Sequence, residues 1–231
     1  MDIGIVTSFY NGYGRFIRQW VASICELKTK PKAITIIASG EKHGMDKEIQ
    51  EYFLNKCEEI KIIPTIKLIH HKGMGYARNI AVQSTDTKWI MYLDTDDVIL
   101  PNAIDTFIRY KCKADVISGG LRYRGIKKHR DRLYKNASRE RIIKGGYCAC
   151  SHAVFKKKFW EMSPFILKND YVEQVFWLGL AQKGAKFIGT DEVCTVYLTR
   201  REGHNCNMTK KDWAECNEQK RRFLKEGVIY D

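Results

Sequence analysis

The stretch WIMYLDTDDV, residues 89–98, places five apolar residues directly before three carboxylates in four positions. The apolar run from Trp89 to Leu93 predicts a buried strand that ends at Asp94. Neighbouring carboxylates repel one another unless a cation or another partner gathers them. Two acids that close an apolar strand therefore cost stability unless they serve a function. The stretch predicts a site at the carboxyl end of a buried strand.

Around this strand, the first half of the chain alternates short apolar runs with apolar residues at helical spacing. The runs predict strands at residues 3–7, 34–38, 66–69 and 116–117, with helices at residues 16–27, 49–57, 77–83 and after Pro101. Repeated strand–helix–strand units predict a mostly parallel sheet with helices on both faces. Such sheets bind ligands at the carboxyl ends of their strands, so the polar residues at these ends should converge.

The pattern changes after Gly120. Residues 121–145 are basic and weakly periodic, which predicts an exposed loop or hairpin. The remaining elements are predicted as a strand at residues 149–155, a helix at 170–183, short strands near Phe187 and Val196, and a polar helix at 212–225.

Length and charge bound the class of protein. A chain of 231 residues suits one α/β domain. The chain has 40 lysines and arginines against 27 acids, a net charge of +13. Residues 122–144 contain ten basic and two acidic side chains. We call this segment the basic stripe. It favours an anionic partner such as nucleic acid, an acidic membrane surface or a phosphate-bearing acceptor, although a merely solvated basic face would have the same composition.

Several features indicate the cellular compartment. No run approaches the ~18 apolar residues that a membrane-spanning helix needs. The N-terminus has an early acid and lacks the pattern of a signal peptide. The eight cysteines include no Cys-x-x-Cys pair, and we expect them to be reduced. The sequence therefore predicts a cytoplasmic protein without a transmembrane segment.

The acidic motif fits several kinds of site. A calcium loop needs glycine and glutamate at its sixth and twelfth positions, where Ile99 and Asp105 stand, so this class is rejected. A haloacid-dehalogenase-type phosphatase also ends a strand in Asp-x-Asp, but it places that strand near the start of its core domain. Carboxylates with this spacing also suit Mg²⁺ or Mn²⁺ bound together with phosphates. The structural alternative is that Asp97 or Asn102 caps the next helix.

Three motifs follow the predicted strands in order. TSFYN (residues 7–11) follows the first strand, GMGYARN (residues 73–79) follows the third, and Asp94-Thr95-Asp96 follows the fourth. Together they resemble family 2 glycosyltransferases of the GT-A fold. The resemblance implies an α/β domain with a mostly parallel, Rossmann-like sheet and a small C-terminal acceptor-side subdomain. Residues 1–120 would form the nucleotide-sugar-binding half, and residues 121–231 the acceptor-side and catalytic-base half, of one continuous domain.

The resemblance also implies roles for individual residues. The donor would be a nucleoside-diphosphate sugar, bound by Thr7, Tyr10, Asn11, Gly75, Arg78, Asn79, Asp94 and Thr95. The cofactor would be Mn²⁺ or Mg²⁺, held by Asp96 and Asp94 and completed by His204. Such a cation neutralises the charge that develops on a departing diphosphate.

An inverting transfer needs a base that deprotonates the acceptor hydroxyl. Alignment with the family's helix motif places Glu173 at the catalytic position. The family's usual Glu-Asp doublet is absent because Val172 precedes Glu173, so Asp170, one turn earlier, is the second candidate. Both acids would also suit a helix N-terminus without any catalytic role.

The basic stripe is the predicted acceptor surface. Its candidate acceptor-binding residues are Arg122, Arg124, Lys127, Lys128, Arg130 and Arg132. Interleaved tyrosines add stacking platforms, so we expect an anionic polymer, with modified DNA as the specific hypothesis. A cell-surface glycan or a lipid-linked carrier is the alternative acceptor. A haloacid-dehalogenase-type phosphatase and a non-catalytic nucleic-acid-binding protein are the alternative classes. The sequence predicts no oligomeric state.

Overall fold

The computed structural model describes residues 1–126, 129–144, 151–167 and 172–199, together with residues 214, 218 and 221–226. The first half of the chain forms four parallel strands, in the order β3-β2-β1-β4, with three helices between them. Their bounds are β1 Ile3–Phe9, α1 Ile17–Cys25, β2 Ala33–Ser39, α2 Lys47–Glu59, β3 Thr65–Ile69, α3 Met74–Gln83 and β4 Trp89–Tyr92. A short 3-10 helix, Tyr13–Phe16, precedes α1.

The second half extends the same sheet with strands of both directions. Its elements are β5 Val98–Ile99, α4 Ala103–Tyr110, β6 Val116–Gly125, β7 Arg130–Arg132, α5 Arg139–Ile143, β8 Val154–Lys156, α6 Lys157–Met162, α7 Val172–Gln182 and β9 Phe187–Thr199. The full strand order is β3-β2-β1-β4-β8-β6-β9-β5, with β7 paired to β6. Strand β8 is antiparallel to both β4 and β6, whereas β6 and β9 are parallel.

Hydrophobic side chains cover both faces of this sheet, because successive residues of a strand point to opposite faces. Ile5 of β1 joins a cluster that includes Trp20 and Phe53, whereas the next residue, Val6, joins a cluster with Phe155 and Phe176. Burial of each such side chain contributes about 1.5–3 kcal/mol. The two clusters confirm the predicted arrangement of helices on both faces, and with it the α/β class.

Three predicted strands differ from the structure. The short strands near Phe187 and Val196 are one strand, β9, whose polar middle forms bulges against β6. The strand predicted at residues 149–155 begins only at Val154 in the described part of the chain. In both places bulges and turns break the period of two on which the prediction rested.

The capping alternative for the acidic motif is also wrong. Helix α4 receives no side-chain cap, and the Asn102 amide donates instead to a carboxylate oxygen of Glu192 at 3.0 Å. Strand β6 runs across residue 120, so the sheet continues through the predicted border between the two halves. Among the described residues, no helix combines the length and the apolar character needed to cross a bilayer.

Candidate active site at the carboxyl edge of the sheet

The acidic turn lies between β4 and β5. Its start is fixed because the Leu93 N–H donates to the Val6 carbonyl and the Leu93 carbonyl accepts from the Trp20 indole at 3.1 Å. Its end closes when the Asp97 N–H donates to the Asp94 carbonyl at 3.1 Å. The turn therefore presents its carboxylates at the carboxyl edge of β4, where the sequence predicted a site.

Arg78 joins this turn to the second half of the chain. It lies on α3 and is only 2% exposed. Its Nη2 lies 3.3 Å from Oδ1 of Asp94, and its Nη1 lies 2.6 Å from Oε1 of Glu173. The guanidinium carbon lies 4.3 Å from the ring centre of Tyr92, within cation–π range. One buried cation thus holds the first acid of the motif and the predicted base together.

The electrostatics of this cluster keep its charges in place. Burial alone would lower the pKa of Arg78, but neighbouring acidic groups, Glu173 foremost, outweigh it and raise that pKa. Burial would raise the pKa of Asp94, but the guanidinium of Arg78 and the imidazole of His152 outweigh it, so this pKa lies below its usual value. Asp94 is therefore a carboxylate at neutral pH, ready to accept hydrogen bonds or bind a cation.

The carboxyl end of β1 is tied to β4 through Tyr92. The Tyr92 hydroxyl accepts from the Ser8 N–H at 2.8 Å and lies 2.5 Å from the Ser8 hydroxyl. Burial raises the pKa of Tyr92, so the phenol stays neutral at physiological pH. This contact brings the two predicted donor motifs, residues 7–11 and 94–96, to the same edge of the sheet.

Asp97 lies behind the turn and is 1% exposed. Its Oδ1 accepts from the Leu198 N–H of β9 at 2.9 Å, and its Oδ2 lies 3.0 Å from Nε2 of His152. The other ring nitrogen of His152 lies 3.2 Å from the Thr195 hydroxyl. Burial outweighs the effect of His152 and raises the pKa of Asp97. The turn is thereby held by His152, which precedes β8, and by Leu198 of β9.

Two predicted donor residues on α3 contact the protein itself. The Asn79 amide accepts from the Trp160 indole at 2.8 Å and from the Phe165 N–H at 2.9 Å, and it donates to the Phe165 carbonyl at 2.8 Å. A side chain on Gly75 would come within 1.8 Å of the Ile166 carbonyl oxygen. Their positions are thus explained by packing against residues 160–166, and a contact of either residue with the donor stays a prediction.

The first donor motif lies in varied environments. Thr7 is fully buried inside β1, whereas Tyr10 is 38% exposed and stacks on His71 with ring centres 4.8 Å apart. Asn11 has a φ of 49°, a left-handed conformation that asparagine tolerates better than most residues. Thr95 is buried within the acidic turn. Tyr10 and Asn11 are thus the residues of this motif that face solvent.

The predicted residues fall into groups. The structure brings Asp94, Arg78 and Glu173 into direct contact, and it places Asp96, partly exposed, in the same turn. The second base candidate, the third predicted metal ligand and both predicted acceptor lysines lie outside the described residues: Asp170, His204, Lys127 and Lys128.

The described arginines of the basic stripe do not share one surface. Arg122 pairs with Asp131 through two hydrogen bonds of 2.9 and 2.8 Å, and Arg124 follows on the same face of the hairpin. Arg130 lies opposite Tyr123 on the other face, with its guanidinium 5.0 Å from the ring centre. Arg132, opposite Leu121, shares that second face. The alternation of side chains along strands divides the stripe in two.

Sequence reasoning missed His152. It precedes an apolar run and, in the structure, it is fully buried against two acids that are distant in the chain. The available signal was a lone histidine directly before Ala153-Val154-Phe155, where a buried imidazole needs polar partners. No local sequence pattern indicates which residues those partners are.

The described residues include one group with the donor atoms of a cation site. Ligand atoms of Asp94, Asp97 and His152 lie within 4.8 Å of one another. Asp94 and Asp96 are the more exposed acids of the turn, and ionised carboxylates are the hard ligands that Mg²⁺ and Mn²⁺ prefer. The turn therefore has the chemistry that a divalent cation requires.

The fold and this edge define a GT-A type α/β domain. The chain matches the family model described as glycosyl transferase family 2 over residues 4–173, and it belongs to that family. This confirms the resemblance drawn from the three motifs, and it favours the transferase class over the phosphatase and the non-catalytic binding protein.

Two curated relatives match parts of the chain. The teichoic acid poly(glycerol phosphate) polymerase of Staphylococcus epidermidis is 30% identical over 108 residues, which span 45% of this chain and 14% of that protein. An uncharacterized glycosyltransferase of Methanocaldococcus jannaschii is 26% identical over 108 residues, 47% of this chain and 36% of that protein. The chain thus spans well under half of either relative.

Solved structures confirm the fold. TarS 1–349 of S. aureus, in complex with UDP-GlcNAc, superposes with a TM-score of 0.73 at 13% identity, covering 99% of this chain and 68% of that one. The mannosyltransferase PcManGT of Pyrobaculum calidifontis, in complex with GDP-Man and Mn²⁺, gives 0.67 at 13% identity, covering 98% and 65%.

Proposed function

We propose that this chain is a metal-dependent glycosyltransferase that moves a sugar from a nucleoside-diphosphate sugar to an acceptor hydroxyl with inversion at the sugar. The observation that carries the proposal is the buried Arg78, which contacts both Asp94 and Glu173. It holds the acid of the donor motif and the candidate base at one edge of the sheet, as a reaction between donor and acceptor requires.

A divalent cation would be held by Asp96 and Asp94, with Mn²⁺ or Mg²⁺ as the candidates. When bound, it neutralises the negative charge of the leaving diphosphate. The chain's own contribution is to keep Asp94 ionised through Arg78 and His152. PcManGT, which shares the fold, was solved with Mn²⁺, and this supports the choice of metal.

Glu173 is the proposed base. Its side chain is partly exposed, and its Oε1 is fixed by Nη1 of Arg78 at 2.6 Å. A fixed carboxylate beside the donor motif can accept the proton of an incoming hydroxyl, and a direct displacement of this kind inverts the anomeric carbon.

The proposed acceptor is an anionic polymer. On the second face of the hairpin, Arg130 lies over Tyr123, whose ring centre is 5.6 Å from that of Tyr197. Tyr197 directly precedes Leu198, whose N–H binds Asp97, so Tyr197 lies on the strand that contacts the acidic turn. Modified DNA is the candidate from the sequence, and poly(glycerol phosphate) is the candidate that the S. epidermidis relative suggests.

The donor half of the proposal is tested by incubating the protein with Mn²⁺ and either UDP-GlcNAc or GDP-mannose. We expect slow release of nucleoside diphosphate from one of them, lost on chelation. Asp96→Ala should reduce this release about 100-fold or more, because a metal ligand is removed. The control is Asp86→Ala, an exposed acid before β4 at the other end of that strand, which should behave as wild type. A wild-type protein that binds neither nucleotide with Mn²⁺ would refute the proposal.

The base is tested with Glu173→Gln, which keeps the shape of the side chain and removes its basicity. We expect transfer to fall by a factor of roughly 10²–10⁴ while nucleotide binding is retained. Glu161→Gln, an exposed acid on α6, is the matched control. The anomeric configuration of the product, measured by NMR, must be opposite to that of the donor.

The acceptor is tested with a radiolabelled donor and three polymers: poly(glycerol phosphate), DNA containing hydroxymethylated cytosine, and a neutral glucan. Transfer to either anionic polymer supports the proposal and identifies the class. Arg130→Ala should then reduce transfer more than donor hydrolysis. Transfer to the neutral glucan alone would contradict an anionic acceptor.

A further inference from the structure

The acidic turn is too short to hold its own shape. Residues 93–97 link β4 to β5, and within the turn the backbone bond from Asp97 to the Asp94 carbonyl is the closing contact. Carboxylates that must meet a cation and a diphosphate need fixed positions, because small displacements are costly for catalysis. The contacts that fix the turn from behind therefore bear on the reaction.

Those contacts converge on Asp97. One of its oxygens is fixed by the Leu198 N–H, and the other lies 3.0 Å from Nε2 of His152. The same nitrogen lies 3.7 Å from Oδ2 of Asp94. The imidazole faces both acids that flank the central residues of the turn, and its other nitrogen is held by the Thr195 hydroxyl at 3.2 Å.

His152 does not reach the reacting groups itself. It is 1% exposed, as are Asp97 and Thr195, so all three lie behind the acidic turn. A buried imidazole held by the Thr195 hydroxyl at one nitrogen and facing two carboxylates with the other has one orientation, and it transmits that orientation to the carboxylates it contacts.

We propose that His152 is a positioning residue for the donor site: held by Thr195, it fixes Asp97 and Asp94 and thereby the geometry in which the acidic turn binds metal and diphosphate. This rests on the proposed function, because it assigns His152 to the same metal–diphosphate site. The residue acts through the two acids and contacts neither donor nor acceptor.

The closing experiment measures Mn²⁺ binding in the presence of UDP or GDP, from the signal of free Mn²⁺ in electron paramagnetic resonance. His152→Ala should weaken binding about 10-fold or more, as loss of a residue supporting metal ligands does. His152→Gln, which keeps an N–H donor near the position of Nε2, should recover most of the affinity. His129→Ala, an exposed histidine on the hairpin, is the matched control and should bind as wild type.

Thermal unfolding gives the midpoint temperature of each variant and so separates positioning from general destabilisation. At a temperature well below every midpoint, the Mn²⁺ affinities of folded His152→Ala and His152→Gln should still differ. If His152→Ala does not fold, Thr195→Val carries the test, since it removes one hydroxyl that holds the imidazole. We expect its affinity to fall between those of wild type and Asp96→Ala.

Three outcomes would overturn the inference. Unchanged Mn²⁺–nucleotide affinity in folded His152→Ala, or in Thr195→Val, with loss in Asp96→Ala, would refute it and leave the proposed function standing. Mn²⁺ binding without nucleotide that depends on His152 would make this residue a ligand. Absence of Mn²⁺–nucleotide binding by the wild-type protein would refute the proposed function and this inference with it.

Discussion

The two halves of the sheet contribute to the site in different ways. Strands β1 to β4 are parallel and carry the predicted donor motifs at their carboxyl ends, where a resemblance to a known family is readable from sequence. In the second half, β6, β8 and β9 run in both directions, and single residues contact the site: Glu173 of α7 contacts Arg78, and His152 and Leu198 contact Asp97 of the acidic turn. The first half has the recognisable chemistry, and the second half fixes its geometry.

This difference shows why motifs alone describe the site incompletely. The acidic turn belongs to the first half by sequence, yet among the described residues its side-chain contacts at Asp97 come from the second half. Arg78 makes the same link in the other direction, from α3 to Glu173. Changes at these links should therefore affect the reaction more than changes within either half.

The largest effect is expected from Arg78→Met, which breaks the contact between the halves. Removing the buried cation of an ion pair leaves its carboxylates without a compensating charge. Because Asp94 and Glu173 are partly exposed, we expect the free energy of unfolding to fall by about 3 kcal/mol. Turnover of the sugar nucleotide should fall about 100-fold. Urea unfolding and donor hydrolysis measure the two effects.

The matched control is Arg109→Met, which removes an exposed arginine paired with Glu192. Surface ion pairs contribute about 0–1 kcal/mol, so this variant should be close to wild type in both assays. Equal effects of the two substitutions would mean that the link through Arg78 has no special importance.

A smaller effect is expected from Gly75→Ala, which tests how tightly α3 packs on residues 165–167. The new Cβ would lie 1.8 Å from the Ile166 carbonyl oxygen, so one of the two segments must move. Overpacking of this kind costs about 1–3 kcal/mol, measured by urea unfolding. Gln83→Ala, exposed on the same helix, should change stability by less than about 0.5 kcal/mol. A stable Gly75→Ala variant would show that the two halves are only loosely packed here.

Within the second half, Asp115→Asn tests the contacts that join the start of β6 to the end of β8 and to the residue before β9. Asp115 accepts from the Lys156 ammonium at 2.7 Å and from the Lys186 N–H at 3.0 Å, and these partners outweigh burial and lower its pKa. Its contribution, about 1 kcal/mol after solvent screening, is present above the unfolded pKa near 4 and is lost as the pH falls through the lower folded value.

Urea unfolding of wild type and Asp115→Asn between pH 7 and 3 checks this expectation. The difference between the two proteins should be constant at neutral pH and narrow below about pH 4. Asp86→Asn, an exposed acid, should show no such difference. If the two free energies of unfolding still differ at pH 3, the effect of the substitution comes from the shape of the side chain and not from its charge.

The smallest effect is a difference in reactivity between two thiols, one in the first half of the fold and one in the second. Burial raises the pKa of Cys57, on α2, to about 12, so almost no reactive thiolate forms at pH 8. Cys112, just after α4, is exposed. Iodoacetamide at pH 8 followed by peptide mapping should label Cys112 in the native protein and leave Cys57 unmodified. Rapid labelling of Cys57 would indicate that the first half opens readily.

The first half was largely predictable from sequence because three of its four strands are buried on both sides, whereas β3 is an edge strand. Parallel strands covered by helices appear as continuous apolar runs, as in β1, β2 and β4. The glycine at position 75 was identified, but its reason was not: the sequence predicted an approach to the donor, and the structure shows close packing on Ile166.

The second half was less predictable because its order comes from distant partners. Strand β9 has a polar stretch in its middle, which resembles a turn in sequence but is accommodated by bulges against β6. The partners of His152, namely Asp97 and Thr195, lie far away along the chain. No local periodicity encodes such contacts, whereas the helix that carries Glu173 was predicted at residues 170–183 and is confirmed as α7.

The bulges of β9 have a consequence for variation in chain length. The register against β6 shifts between Gly189 and Val193 and again between Val193 and Thr195, and it is regular from Thr195 to Thr199. Side chains of a strand alternate with a period of two, so an added or deleted residue between Thr195 and Leu198 would move the N–H that binds Asp97 out of step with the hydroxyl that holds His152. Changes in chain length should therefore be excluded from residues 195–198.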